Sequence, residues 1–257
     1  SVQDELRRCI SEGFEGFELY FQPIYNTDDD SLSGAEALIR WNSRKYGFIG
    51  PNTFIPLLED SALIIPLGRW IINTAAKACN RWITSIPDFV MHINLSFVQI
   101  VKSNIVKDVL ENIERYSAAN NHYVFEITET IEMDQIPAVQ NVFKEFVKND
   151  FRFAIDDFGT GYSNYGYMRD RTFDIVKVDR SFVTDIDKLK DNYLMVSFII
   201  KMAHEMGLHV CIEGVETKEE LSCVKKLGAD YIQGYYYGKP VCLQDFEEQH
   251  LKRFVLG

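Results

Sequence analysis

Positive charge is scarce in this chain. Against 38 Asp and Glu stand only 27 Lys and Arg, a formal charge of −11 over 257 residues. Gripping long nucleic acid or an anionic membrane surface needs clustered cations, so the charge argues against both roles. A nucleotide ligand, if there is one, is small, with bound cations offsetting the repulsion between its phosphates and the carboxylates. Cysteine is sparse too: Cys9, Cys79, Cys211, Cys223 and Cys242 are odd in number, widely spaced and free of any C-x-x-C pair. That excludes a disulfide framework and leads us to expect the reduced thiols of a cytoplasmic protein. No stretch approaches the roughly 18 apolar residues of a membrane span, and the acidic N-terminal residues do not resemble a signal peptide. Linkers, low-complexity tracts and internal repeats are missing as well. What the chain does have is core material, 46% hydrophobic and 13% aromatic. Its length is ordinary for one (β/α)8 barrel, which takes about 250 residues, so a single domain over 1–257 is expected.

Strand-like runs recur at Phe17–Ile24, Leu32–Ile39, Phe89–Asn94, Tyr123–Thr128, Arg152–Asp156, Asp174–Val178, His209–Glu213 and Tyr231–Gln233. From the second run onward the gaps hold crossover helices, as a parallel sheet requires, and eight such strands close into a TIM-like α/β barrel. The first gap, Asn26–Ser33, has room only for a turn, so the first strand runs antiparallel to the second. Between strands, Ile71, Ala75, Ala78, Cys79 and Trp82 share one helix face, and Leu194, Phe198, Met202 and Met206 another. Both stripes are read as core. Thr217 with Glu220 forms a capping box, and Asp134 is placed to cap the helix after the fourth strand.

Barrel enzymes build their sites where strands end and the βα loops begin. Those ends are acidic here. The second strand runs into Glu36 and Arg40, the third ends at Asn94, and the fourth holds Glu126 and Glu129. The fifth ends in Asp156–Asp157, the sixth presents Lys177 and Asp179, the seventh ends at Glu213 with Glu216 beyond, and the eighth gives Gln233. Any one of these carboxylates has an ordinary reading as a helix cap or a solvated loop residue. Their convergence from several strands on one rim is different, because gathering like charges costs energy unless cations neutralise them. All-oxygen ligands select hard cations such as Mg²⁺ or Mn²⁺, and no pair of histidines has ligand spacing; His204 and His209 read as structural or exposed. The adjacent Asp156 and Asp157 suit a two-metal site in which one carboxylate bridges the ions. Lys177, inward by strand alternation, either pairs with rim carboxylates or orients an attacking water and steadies transition-state charge.

Three motifs carry no weight. Asp157-Phe158-Gly159 lacks the glycine loop and H-R-D segment of a kinase, and Asn94-Leu95-Ser96 is a glycosylation sequon only in a secreted protein. Gly159-Thr160-Gly161 has glycines that a turn alone explains.

Glu36-Ala37-Leu38, within Ala35–Trp41, resembles the signature of EAL-domain cyclic di-GMP phosphodiesterases. Phe21-Gln22-Pro23-Ile24, Asn94-Leu95-Ser96, Glu126-Ile127-Thr128-Glu129, Asp156 to Ser163, Lys177-Val178-Asp179, Glu213-Gly214-Val215-Glu216 and Gln233-Gly234 follow in the family's order, covering Phe17–Pro240. The resemblance implies a TIM-like barrel with an antiparallel first strand and hydrolysis of cyclic di-GMP to linear pGpG. It implies that Glu36, Asn94, Glu126 and Asp156 hold one metal ion, and that Asp156, Asp157 and Glu213 hold a second, with Glu213 also the general base. By the same resemblance Gln22, Arg40, Asp179, Gln233 and Pro240 border the dinucleotide, while Glu129 and Glu216 support the ligands. A homodimer and an upstream sensory or cyclase module are implied as well. The sequence departs from the family at Asn164-Tyr165, where Ser-Leu is usual, and at Arg171-Thr172, where Leu-Pro is common. Those departures touch the expected dimer contact and not the ligands. A catalytically silent cyclic di-GMP receptor is the alternative, but such domains usually lack several ligands and every position is filled here. An enolase-like lyase would need a capping domain for which no residues remain.

Overall fold

A computed structural model describes residues 1–128, 137–160 and 172–252. Helix α1 (Val2–Ser11) leads into β1 (Phe17–Asn26), which turns back as β2 (Leu32–Ser43); β3 (Gly47–Ile49), α2 (Pro51–Asp60) and α3 (Ile64–Trp82) follow. Next come β4 (Val90–Asn94), α4 (Phe97–Lys102), α5 (Ile105–Ile113), β5 (Tyr123–Thr128), α6 (Pro137–Lys148), β6 (Arg152–Phe158) and β7 (Ile175–Val178). Beyond these lie α7 (Lys190–Glu205), β8 (His209–Glu213), α8 (Lys218–Leu227), β9 (Tyr231–Gln233), β10 (Val241–Cys242) and α9 (Leu243–Phe246).

Hydrogen bonding runs in the order β1, β9, β8, β7, β6, β5, β4, β2 and closes through a β1–β2 pairing, with β3 and β10 attached outside the ring. The eight strands expected from sequence are the eight staves of this TIM-like barrel. β1 is antiparallel to both neighbours, and the remaining staves pair in parallel. The reversal follows from the tight turn: the amide of Asn26 donates to the Ser31 carbonyl, Asp29 accepts from the Ser31 amide, and Asp30 takes a left-handed φ of 56°. So short a link cannot cross the barrel. Pro23, which has no N–H to give, sits in β1 between the stretch that meets β10 and the stretch that meets β9.

Strand alternation builds the barrel interior in two levels. At the base, Ile24, Val124, Ala154, Ile175 and Cys211 form a small apolar cluster. Two residues further along the same inward faces stand Gln22, Glu126, Asp156, Lys177 and Glu213. Each of these five staves therefore seals the base with an apolar side chain and delivers a polar one to the rim. The larger core lies between barrel and helices. There the α3 stripe is buried as expected, and Trp82 stacks on Phe246 at 4.6 Å and meets Phe21 edge-on at 4.9 Å.

The expected α7 stripe is corrected in half: Met202 and Met206 pack, partly buried, against the core, but Leu194 and Phe198 do not. Leu194 and Phe198 are 53% and 55% exposed, and the helix instead buries Val196, Ile199, Ile200 and Ala203. Its sequence holds two apolar faces of helical period, and the compact β-branched and Ala face fits closely against the barrel. The Thr217–Glu220 capping box is present. Asp134 lies outside the described residues.

At the barrel base, Asp230 accepts from the Val210 amide at 2.7 Å and from His204 Nε2 at 2.8 Å, and it ion-pairs with His209 Nδ1 at 3.3 Å. Partial burial opposes its charge, but the two imidazoles and the amide win and hold its pKa at about 2. His209 is raised, chiefly by its hydrogen bond to Asp230. The carboxylate's contribution is present above its unfolded pKa of about 4 and is lost as pH falls toward 2. The imidazole's is full below about 6.5 and is lost as pH rises through its folded value. Asp230→Asn is therefore expected to cost about 1 kcal/mol, after allowance for solvent screening. The loss should be larger at about pH 5.5 than at about pH 8.5, as read from urea midpoints. An equal loss at both pH values would dismiss the ionic part of the contact.

Candidate metal centre and substrate cleft

Lys177 stands fully buried at the middle of the rim. Its Nζ lies 2.7 Å from Glu126 Oε2, 2.8 Å from Glu213 Oε1, 3.1 Å from Glu36 Oε2 and 3.5 Å from Asp156 Oδ1. Strands β2, β5, β6 and β8 each deliver one of these carboxylates. Glu36 also accepts from Asn94 Nδ2 at 2.7 Å and from Gln233 Nε2 at 2.6 Å, and Gln233 Nε2 reaches Gln22 Oε1 at 3.1 Å.

Regular alternation would send Asp156 and Asp157 to opposite faces of β6. The β6–β7 register instead shifts between Ile155 and Phe158, and Asp157 adopts a left-handed φ of 54°. Such a conformation is strained for a residue other than glycine and recurs at functional sites. It brings both carboxylates to one place: Asp156, Asp157 and Glu213 each offer an oxygen, all within 4.8 Å of one another. The turn after Glu213 is equally constrained, because Gly214 has φ 72° and a Cβ there would meet Arg180 Cβ at 2.3 Å.

One lysine does not neutralise this cluster. Burial drives Asp157 up to about 6 with Asp156 adding repulsion, and Glu213 up to about 8 against the pull of Lys177. Burial also raises Glu126, with Glu36 next to it adding repulsion. Glu36 goes the other way, to about 2: burial opposes its charge, but Lys177, Gln233 and Asn94 outweigh it. Lys177 is raised because the carboxylates outweigh its own desolvation. Asp156 Oδ1 is buried without a hydrogen-bond partner. A buried oxygen with a distant ammonium at 3.5 Å but no hydrogen bond, within an all-oxygen donor set, fits a hard divalent cation.

Beside the rim opens a cleft of about 800 Å³, lined by Glu36, Arg40, Asn94, Asp156 and Asp157 on the barrel and by Ile55, Pro56 and Glu59 of α2. Ser96 Oγ donates to Glu59 Oε1 at 2.6 Å and ties α2 to the loop after β4. Arg40 is half-buried, its guanidinium 5.4 Å over the Tyr20 ring. Gln22 Nε2 donates to the Gly238 carbonyl at 3.3 Å, two residues before Pro240, which is half-buried and enters β10. Asp179 caps the turn after β7, accepting from the Ser181 amide at 2.9 Å. Glu216 has an exposed side chain, and it is buried Glu220 that holds this loop through the Glu216 and Thr217 amides. Glu129, Asn164, Tyr165 and Arg171 lie outside the described residues.

Sequence reading missed His92. It is 4% exposed, and its Nδ1 lies 2.7 Å from Glu126 Oε1. The available signal was its place two residues before Asn94 on an inward strand face.

Eight staves, an apolar base and a rim of buried carboxylates beside a cleft define the class: a TIM-like barrel with an acidic cluster able to hold a metal ion at its C-terminal end. The chain belongs to the EAL domain family, whose profile matches residues 3–240. It is 32% identical over 244 residues to the probable cyclic di-GMP phosphodiesterase PdeG of Escherichia coli, a match covering 95% of this chain and 48% of PdeG. The chain thus spans under half the length of that curated relative. Among solved structures, the EAL enzyme Bd1971 with cAMP and cyclic di-GMP bound superposes with a TM-score of 0.90 at 34% identity, covering 96% of this chain and 67% of Bd1971. The PaMucR phosphodiesterase in complex with c-di-GMP superposes at 0.86 with 28% identity, covering 94% of this chain and 99% of that one. Among the described residues no helix is long and apolar enough to cross a membrane.

Proposed function

We propose that this chain hydrolyses cyclic di-GMP to linear pGpG in bacterial second-messenger signalling, with two divalent cations, Mg²⁺ or Mn²⁺. The observation that carries the reading is the meeting of Glu36, Glu126, Asp156 and Glu213 around Lys177, with Asp157 turned onto the same rim beside a dinucleotide-sized cleft. The named activity of PdeG and the ligands of Bd1971 and PaMucR support it.

In this reading Glu36, Asn94, Glu126 and Asp156 hold one cation, and Asp156, Asp157 and Glu213 hold the other. When bound, the cations supply a water acidic enough to ionise near neutral pH and a sink for phosphoryl charge. The residues do the rest. Glu213 accepts the proton of the attacking water on a carboxylate oxygen. Lys177, anchored by carboxylates on several sides, donates toward that water and steadies the charge that develops on phosphorus-bound oxygens. Arg40 reaches a phosphate oxygen with its planar fork. Gln22, Asp179, Gln233 and Pro240 border the dinucleotide, and Glu129 supports the ligands, while the loop that carries Glu216 is held by Glu220. A homodimer belongs to the same reading, supported by the exposed Leu194, Met195 and Phe198 of α7. An upstream sensory or cyclase module belongs to the same reading; the match covers 48% of PdeG, which leaves that relative room for further modules. Five free cysteines support a cytoplasmic setting.

The test is to incubate the chain with cyclic di-GMP and Mg²⁺ or Mn²⁺, with and without Glu36→Ala, and to separate the products by chromatography. Wild type should release pGpG, and the variant should lose about 10²-fold or more, as expected for removing a preorganised electrostatic contact. Binding without product under either cation would replace the enzyme by the silent receptor. Neither binding nor product would mean that the ligand is wrong.

A further inference from the structure

We propose that His92 is a positioning residue for the metal centre: its Nδ1–H donates to Glu126 Oε1 and holds that carboxylate, still ionised, in the orientation that ligates a cation. The inference rests on the reading of Glu126 as a ligand in the proposed phosphodiesterase.

Glu126 is 1% exposed, so the groups packed around it set its rotation. Lys177 Nζ takes Oε2 at 2.7 Å, and His92 Nδ1 lies 2.7 Å from Oε1. The carboxylate is therefore gripped from both sides, by β7 and by β4. Asn94, two residues beyond His92 on the same inward face, makes the corresponding contact to Glu36 at 2.7 Å. Strand β4 thus presents a donor at two successive levels, each aimed at a different ligand carboxylate. Among the described residues the other histidines are engaged elsewhere: His122 with the Phe89 carbonyl, His204 and His209 with Asp230, and His250 with the Tyr25 hydroxyl.

The direction of donation follows from the chemistry of a ligand. A carboxylate that coordinates a cation carries no proton, so the proton between Nδ1 and Oε1 belongs to the ring. Imidazole–carboxylate contacts of this kind, one step removed from a metal, typically change its affinity by about 10–100-fold when removed.

Three proteins are compared by calorimetric titration with Mn²⁺ alone: wild type, His92→Leu and His92→Asn. The asparagine amide nitrogen stands where Nδ1 stands, so it replaces the donor without the ring. His92→Leu should bind Mn²⁺ about 10–100-fold more weakly, and His92→Asn should recover most of that loss. Equal affinity in wild type and His92→Leu overturns the proposal, and so does a His92→Asn protein as weak as His92→Leu. Should the leucine variant fail to fold, ¹⁵N imidazole spectra of Mg²⁺-loaded wild type decide. A protonated Nδ1 supports the donor role, and an unprotonated one overturns it. Wild type that binds no Mn²⁺ and makes no pGpG sinks the phosphodiesterase reading and this inference with it. Wild type that does both while His92→Leu binds Mn²⁺ equally well sinks the inference alone.

Discussion

Methionine in place of Lys177 is expected to lower the stability of the metal-free protein by about 3–5 kcal/mol, the usual cost of removing one partner from a buried ionic cluster. Much of that should return on addition of Mn²⁺. Methionine keeps most of the volume and apolar stem, so packing loss is a minor part. What disappears is the cation within 3.5 Å of Glu36, Glu126, Asp156 and Glu213. Among the described residues their desolvation, already unfavourable, is then opposed by Asn94 and Gln233 at Glu36, His92 at Glu126 and the Asp157 amide at Asp156. A divalent ion entering the rim restores the missing positive charge. Binding to the folded state alone stabilises by about 2.7 kcal/mol at a hundredfold excess over Kd. The rise in melting temperature from chelator to millimolar Mn²⁺ should consequently be larger for Lys177→Met than for wild type. Hydrolysis should fall by about 10²–10³-fold even at saturating Mn²⁺, because an ion at the ligands does not replace a donor aimed at the water. A variant that melts like wild type in chelator would show that the lysine contributes nothing net to the fold.

Much of this rim was legible because a strand has a period of two. Once Tyr123–Thr128, Asp174–Val178 and His209–Glu213 read as strands, Glu126, Lys177 and Glu213 had to fall on inward faces at their ends. The short gap after Ile24 made the first strand antiparallel for the same elementary reason. Asp157 shows where such reasoning stops. Alternation sends it away from Asp156, and only the register shift and left-handed backbone bring the pair together. No local pattern in Ile155–Phe158 announces that shift. Period also failed on α7, where Leu194 and Phe198 spell a stripe as regular as Val196, Ile199, Ile200 and Ala203; which face a helix buries is decided by its neighbours. Strands β3 and β10, three and two residues long, are too brief to show a period at all. His92 was hidden by type, since a lone inward histidine reads as packing until its partner is known. The substrate is not a matter of period or charge: it entered through the ordered motifs shared with the EAL domain family.

Glu213→Gln should lower kcat by about 10²–10⁴-fold while leaving KM for cyclic di-GMP within a few-fold. Two roles are assigned to this carboxylate, and the substitution separates them. Glutamine fills the same space at the end of β8 and keeps a carbonyl oxygen, so it remains a neutral ligand with weakened hold on the second cation. It has no basic oxygen to accept the water's proton. If coordination were the whole role, raising Mn²⁺ until the site saturates would bring kcat back. If proton acceptance is required, the loss persists at saturation, because the bound ion acidifies a water whose proton still has no place to go. Structural disturbance would be small: Glu213 Oε1 meets Lys177 at 2.8 Å, and the lysine keeps Glu36, Glu126 and Asp156 as partners. The measurement is kcat against Mn²⁺ concentration for both proteins, with cyclic di-GMP affinity taken in parallel. Recovery of kcat to within a few-fold of wild type at saturating Mn²⁺ would strip Glu213 of the base role and leave it a ligand. Another group would then have to take the proton, and Asp157 is the candidate. It offers an oxygen within 4.8 Å of those of Asp156 and Glu213. It is also the least buried of the three, so it can pass a proton on to solvent.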